Sequence, residues 1–163
     1  MAKELTTIFL ALGSNVGDSA GNIHQAIELL SADISDIRKA PIYTSKAVGY
    51  TDQPDFLNTA VRGITSLSPQ ELLIFVKHIE QEIGRIHRFR WGPREIDIDI
   101  IFYGDKILDT PGLTIPHPRF AERDFVLRPI CDIDPNFVDP RSGTSVQGLL
   151  APLPPSARVI AEQ

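Results

Sequence analysis

Residues 96–103 of the chain, Ile96-Asp97-Ile98-Asp99-Ile100-Ile101-Phe102-Tyr103, alternate strictly at their start. That period of two predicts a strand with Asp97 and Asp99 on one face and Ile96, Ile98 and Ile100 on the other. A carboxylate is costly inside a strand unless something pairs with it. Two on one face also repel, so the pattern predicts a divalent-cation site. Residues 85–94 just upstream hold Arg85, His87, Arg88, Arg90 and Arg94 with no acidic residue among them. A pair of metal-binding aspartates beside clustered arginines suits a polyphosphate, and points to phosphoryl-type transfer.

The other elements follow from periodicity and punctuation. Ile8 to Leu12 is a short apolar run that stops at the turn-rich Gly13-Ser14-Asn15-Val16-Gly17-Asp18. Ile23, Ala26, Ile27 and Leu30 then recur at helical spacing. Residues about 36–46 and 56–65 read as strands, joined through Gly49, Asp52 and Pro54. Ser68-Pro69-Gln70-Glu71 combines capping-box spacing with proline at the first helical position. Leu72, Val76, Ile79 and Ile83 form that helix's buried stripe, and Gly84 is its stop. The order β-α-β-β-α-β predicts an α+β fold, a ferredoxin-like sandwich with a mainly antiparallel sheet. The proline-rich remainder, from about 105, should add short strands, small helices and loops, with Ser145 to Leu150 one of those helices.

At 163 residues one domain over 1–163 is expected. The net charge of −5 argues against nucleic-acid or anionic-membrane partners and makes the local arginine cluster more informative. With Cys131 as its sole cysteine, the chain can form no disulfide framework or cysteine-rich metal site, and a reduced, packed thiol is expected. Neither a signal peptide nor an apolar run near the ~20 residues of a membrane helix is evident, so a cytoplasmic location is expected.

Successive same-face positions place the two carboxylates roughly 7 Å apart at the backbone, close enough to converge on one or two cations. Magnesium suits such a pair, since it takes few carboxylates and completes its shell with water and phosphate oxygens. Gly13 to Asp18 fails as a P-loop, lacking Gly-Lys-Ser/Thr, and reads as a tight turn feeding a helix. Phe56 and Asn58 share a strand face; an amide matches the edge of an aminopyrimidinone ring and an aromatic can lie against its face, while core packing accounts for Phe56 equally well. Trp91 in its polar loop reads either as a cover over a flat ligand or as a packing anchor. His117 lies between Pro116 and Pro118, and reads either as a pre-positioned phosphate donor or as an incidental loop histidine. Arg123 and Phe125 offer a further cation and ring.

Together these motifs resemble the 6-hydroxymethyl-7,8-dihydropterin pyrophosphokinase family. The resemblance runs through Gly13-Ser14-Asn15, Asp52-Gln53-Pro54-Asp55-Phe56-Leu57-Asn58, Gly84-Arg85, Arg94-x-x-Asp97-x-Asp99, Pro116-His117-Pro118-Arg119 and Arg123-Asp124-Phe125. It implies transfer of the β,γ-pyrophosphoryl group of ATP to the pterin's hydroxymethyl oxygen, releasing AMP, in folate biosynthesis. By the same resemblance Asp97 and Asp99 would hold two magnesium ions, with Arg85 and Arg94 completing the catalytic set. Arg85, His87, Arg94, Ile100, His117 and Arg123 would bind ATP. Ser45, Val48, Gly49, Phe56, Asn58, Trp91 and Phe125 would bind the pterin. Glu80 matches a family glutamate with an organising role, and residues about 46–55 and 85–94 would close over the substrates. A monomer is expected. Three positions depart from some members: His87 stands for an arginine, Phe56 for a tyrosine and Pro118 for an aromatic. Two rival readings are a non-catalytic nucleotide- or pterin-binding module and a single-stranded RNA binder of the same element order. The intact charged set opposes the first; the acidic balance and the missing aromatic strand motif oppose the second.

Overall fold

In the computed structural model the described residues are 4–46, 52–84, 95–155 and the backbone of 158–159. Strand β1 (Thr6–Ser14) leads into helix α1 (Ser19–Leu30), which buries Ile23, Ala26 and Leu30. Asp18 caps it, accepting from the Gly21 N–H at 3.1 Å. The predicted second strand divides into β2 (Ile34–Lys39) and β3 (Tyr43–Ser45). The break falls at Pro41, which has no N–H for a ladder. Thr59 bridges the gap, its hydroxyl lying 3.0 Å from the Ala40 carbonyl and 3.2 Å from that of Pro41.

Strand β4 (Phe56–Thr65) and helix α2 (Pro69–Ile83) come next. Ser68 and Glu71 form the full capping box, a device worth about 1 kcal/mol. Gly84 ends the helix at φ 96°, a left-handed conformation that costs glycine nothing. Strand β5 (Asp97–Tyr103) carries the aspartates. A hairpin of β6 (Leu108–Thr110) and β7 (Leu113–Ile115), a 3-10 turn (Phe120–Glu122), helices α3 (Asp124–Ile133) and α4 (Val146–Leu150), and a short β8 (Arg158–Val159) complete the described elements. Helix α3 is longer than the small helices expected there, and it accommodates Pro129 in its interior.

The main sheet runs β5-β1-β4-β3-β8, with β2 pairing the other end of β4, and every pairing among the described strands is antiparallel. This is the expected ferredoxin-like arrangement. One face packs Ile8, Leu10, Leu12, Ile98 and Ile100 against α1 and α2. The other packs Phe9, Ala60, Ile101 and Phe102 against α3 and α4. A bulge opposite Phe9 and Leu10 lets Ile101 and Phe102, though neighbours, both join the second cluster. Toward Asp97 and Asn58 the second face is open, and there the sheet bears polar side chains.

Candidate active site

The site is a patch of sheet whose middle strand has almost no side chains. Gly13 of β1 pairs with Asp97 on one side and Asn58 on the other; Ala11 pairs with Asp99 and Ala60. Aspartates and amide therefore face each other across a shallow floor. A Cβ on Gly13 would lie 3.2 Å from Asn58 Oδ1, so glycine preserves the close approach of that amide. Ala11, Gly13, Ser45, Phe56, Asn58, Asp97, Asp99, Arg123 and Phe125 line a common cavity with Leu12, Lys46, Thr59 and Val126.

Asp97 and Asp99 are half-buried, and the Ile98 N–H between them points away from β1, since β5 is a sheet edge. Glu80, 1% exposed on α2, accepts that N–H at 2.7 Å and pairs with Lys77 at 3.3 Å. The glutamate thus clamps the backbone from which both aspartates project. Its organising role, implied by resemblance alone, acquires a physical content here. Glu80→Ala should cost about 1–3 kcal/mol by stranding a buried N–H, and should weaken magnesium binding. Glu80→Gln, which keeps an acceptor, should recover most of both losses. Thermal unfolding and a magnesium titration check this; an alanine variant as stable as the parent would refute the clamp.

Burial, then the Asp97 charge, pushes the Asp99 carboxyl up to about 7, with Lys77 and Arg123 pulling the other way. His117, on the loop after β7, is held below its usual range by burial first and then by Arg123, against the pull of Asp97. It is neutral at pH 7, and its Nδ1 accepts the Arg119 N–H at 3.2 Å. The proton therefore sits on Nε2, available to an acceptor such as a phosphate oxygen. Arg123, at the start of α3, lies 5.8 Å from the Phe125 ring centre and senses both aspartates.

Around the amide, Asn58 Nδ2 donates to Ser45 Oγ at 2.6 Å, and both side chains are buried. The half-buried rings of Phe56 and Phe125 line the same cavity. Ile100 is different: its side chain is buried in the helix-side core, away from the aspartates, so any ATP contact there is left to its main chain. Arg85, His87, Arg94, Val48, Gly49 and Trp91 lie outside the described residues.

Sequence reasoning gave the Gly13-Ser14-Asn15 motif only a turn, whereas the structure gives it two anchors. The Ser14 hydroxyl donates to the Glu95 carbonyl, which also accepts from Asn22 Nδ2 at 3.1 Å. Asn15 Nδ2 reaches Gln53 Oε1 at 2.8 Å and the Pro54 carbonyl at 3.0 Å. Segments far apart in the chain, at 53–54 and 95, are thereby fixed to one turn beside the cavity. The signal available was the clustering of short amide and hydroxyl side chains, which bond readily to nearby backbone.

Residues 9–135 match the model of the 7,8-dihydro-6-hydroxymethylpterin-pyrophosphokinase family. The chain is 46% identical over 136 residues to the 2-amino-4-hydroxy-6-hydroxymethyldihydropteridine pyrophosphokinase of Aquifex aeolicus, covering 83% of this chain and 85% of that protein. It is also 46% identical over 143 residues to the Synechocystis protein of the same name, covering 86% and 73%. Against the folic acid synthesis protein fol1 of Pneumocystis carinii it is 43% identical over 85% of this chain, spanning only 19% of that longer protein. The fold is similar to a solved Plasmodium falciparum HPPK-DHPS structure, with a TM-score of 0.73 at 15% identity, over 93% of this chain and 42% of that one. Joined to the aspartate strand and its amide pocket, these similarities leave one assignment: the chain belongs to the 7,8-dihydro-6-hydroxymethylpterin-pyrophosphokinase family.

Proposed function

We propose that the open sheet face bearing Asp97, Asp99 and Asn58, with Arg123 and His117 beside it, is where this chain carries out its family's reaction. That reaction is ATP-dependent pyrophosphoryl transfer to the hydroxymethyl group of 6-hydroxymethyl-7,8-dihydropterin, in folate biosynthesis. The observation that carries the assignment is the row Asp97–Gly13–Asn58, which sets a carboxylate pair and an amide pocket on one floor. It juxtaposes the needs of a polyphosphate donor with those of a flat, hydrogen-bonding acceptor.

The donor set fits magnesium. Asp97 and Asp99 face the open cavity from one strand, and magnesium takes few carboxylates and completes its shell with water and phosphate oxygens. When bound, magnesium supplies the charge that stabilises the phosphate oxygens and lowers the proton affinity of the attacking hydroxyl. Two ions, both on these aspartates, are proposed. Asp97 and Asp99 position the metal; His117, through Nε2–H, and Arg123 hold phosphate oxygens; Arg85 and Arg94 complete the charge at the transferred group, and His87 adds a contact. Asn58 and Ser45 orient the pterin edge, Phe56, Phe125 and Trp91 its faces, and the backbone near Val48 and Gly49 its remaining rim. Such chemistry needs alignment and charge more than covalent help. We take the chain to act as a single domain over 1–163 and as a monomer, because Asp97, Asp99, Ser45, Phe56 and Asn58 come from one continuous sheet and Arg123 and Phe125 from the head of the helix packed on it. No helix among the described residues is long and apolar enough to cross a membrane.

The deciding experiment supplies ATP, magnesium and 6-hydroxymethyl-7,8-dihydropterin and identifies the nucleotide product. AMP formed only when the pterin is present is the expected result. ADP, or no turnover, would overturn the assignment.

A further inference from the structure

The pocket has two walls that no covalent link near it joins. One is β3, three residues long, which carries Ser45 and pairs with β4 on one side and β8 on the other. The other is α3, which presents Phe125 and Val126 to the cavity. A three-residue strand has few ladder bonds to fix its position. Tyr43, at its start, is a buried residue opposite Asn58 on the same face, and its hydroxyl donates to Asp132 Oδ2 of α3. Within the described residues that bond ties the two walls together.

Two further facts set Asp132 apart from an incidental surface carboxylate. It lies in the last turn of α3, where a negative charge meets the negative end of the helix dipole, and no basic residue accompanies it there. Its placement works against the helix, so its benefit must come from elsewhere. Asp132 is also seven residues beyond Phe125. That spacing is two helical turns, about 10 Å along the axis and on the same helix face. Holding Asp132 against β3 therefore fixes how the Phe125 face meets Asn58 and Ser45. Arg128 sits between, 3.9 Å from the Asp124 carboxylate at the head of the helix, and its charge is felt by Tyr43.

Resting on the pterin-pocket reading above, we infer that Tyr43 and Asp132 are a positioning pair, which sets the gap between β3 and α3 and so the affinity for the pterin acceptor. Among the described residues, neither lines the cavity beside Asp97, Asp99 and Arg123. Their loss should act on pterin binding and leave ATP binding alone.

The test measures affinity for 6-hydroxymethyl-7,8-dihydropterin in the presence of magnesium and α,β-methylene-ATP, whose blocked bridge prevents transfer. Affinity for the nucleotide analogue is measured separately. Tyr43→Phe keeps the ring, and leaves Asp132, already exposed, to water, so the variant should fold. Tyr43→Phe and Asp132→Ala should each weaken pterin binding about 3- to 10-fold, the loss of one hydrogen bond. The nucleotide analogue should bind within about twofold of the parent in both. The double variant should bind pterin no worse than the weaker single, because the two changes remove the same bond. Unchanged pterin affinity in both singles, additive losses, or parallel losses of pterin and nucleotide affinity would each overturn the pairing. Asn58→Ala separates the two levels of inference. If it leaves pterin affinity intact, the pocket reading itself fails; if it weakens binding while Tyr43→Phe does not, only the positioning pair fails.

Discussion

Asp97→Asn and Asp99→Asn should each lower kcat by about a thousandfold or more at saturating ATP and pterin, with magnesium in excess. The size follows from what a metal contributes. Lewis-acid stabilisation of a transferring phosphoryl group is worth several kcal/mol, and about 4 kcal/mol is a factor of about a thousand in rate. Asparagine keeps the shape and one acceptor oxygen but brings no charge, so the strand should persist while the metal is lost. The fold gives further reason to expect little structural damage. Asp97 and Asp99 face the open cavity, and the Ile98 N–H between them is held from the opposite side by Glu80. The variants should even gain stability in magnesium-free buffer, because each removes one of two repelling charges. Steady-state kinetics paired with thermal unfolding checks both halves. Near-parental turnover in either variant at high magnesium would remove the aspartates from the catalytic set.

The parts legible in the sequence were those governed by local rules. Ser68, Pro69, Glu71 and Gly84 delimit α2 because capping depends on residues a few positions apart. The Asp97–Asp99 alternation placed both carboxylates on one face because a strand has a period of two. Less legible were features decided by contacts between distant segments. The division of β2 from β3 at Pro41 depends on Thr59 reaching across from β4. The bulge that turns Ile101 and Phe102 to one face depends on the register against β1. Helix α3 was underread because Pro129 and the surrounding prolines signal a break, while the apolar face that the helix buries against the sheet outweighs that preference. Asp97, Asp99, Phe56, Asn58, His117, Arg123 and Phe125 stand out as candidates by residue type and neighbours. The anchoring by Ser14, Asn15 and Asn22 and the tie from Tyr43 to Asp132 span 38 to 89 positions. No local pattern encodes such spans.

Magnesium affinity should fall steeply as pH drops below 7, and the metal should displace a proton as it binds. Asp99 stands at about 7 in the metal-free protein, raised by burial and by Asp97. Below that value the site is occupied by a proton, which the cation must expel. One displaced proton makes the apparent affinity fall about tenfold per pH unit, so binding at pH 5 should be about a hundredfold weaker than above pH 8. The stability of the metal-free chain should move the other way. A carboxyl whose folded value is raised retains a proton that the unfolded chain releases near pH 4. Its stabilising contribution is therefore complete below about pH 4 and is lost as pH rises toward 7. Added magnesium restores what that rise removes, so the thermal shift it produces should grow between about pH 5 and pH 8. Calorimetric titration in two buffers of different ionisation heat counts the protons released. Close to one per metal at about pH 6, falling toward zero above pH 8, is the expected result. Release near zero at both values would mean that Asp99 is already ionised, and that the two aspartates are held apart by something other than the cation they are placed to share.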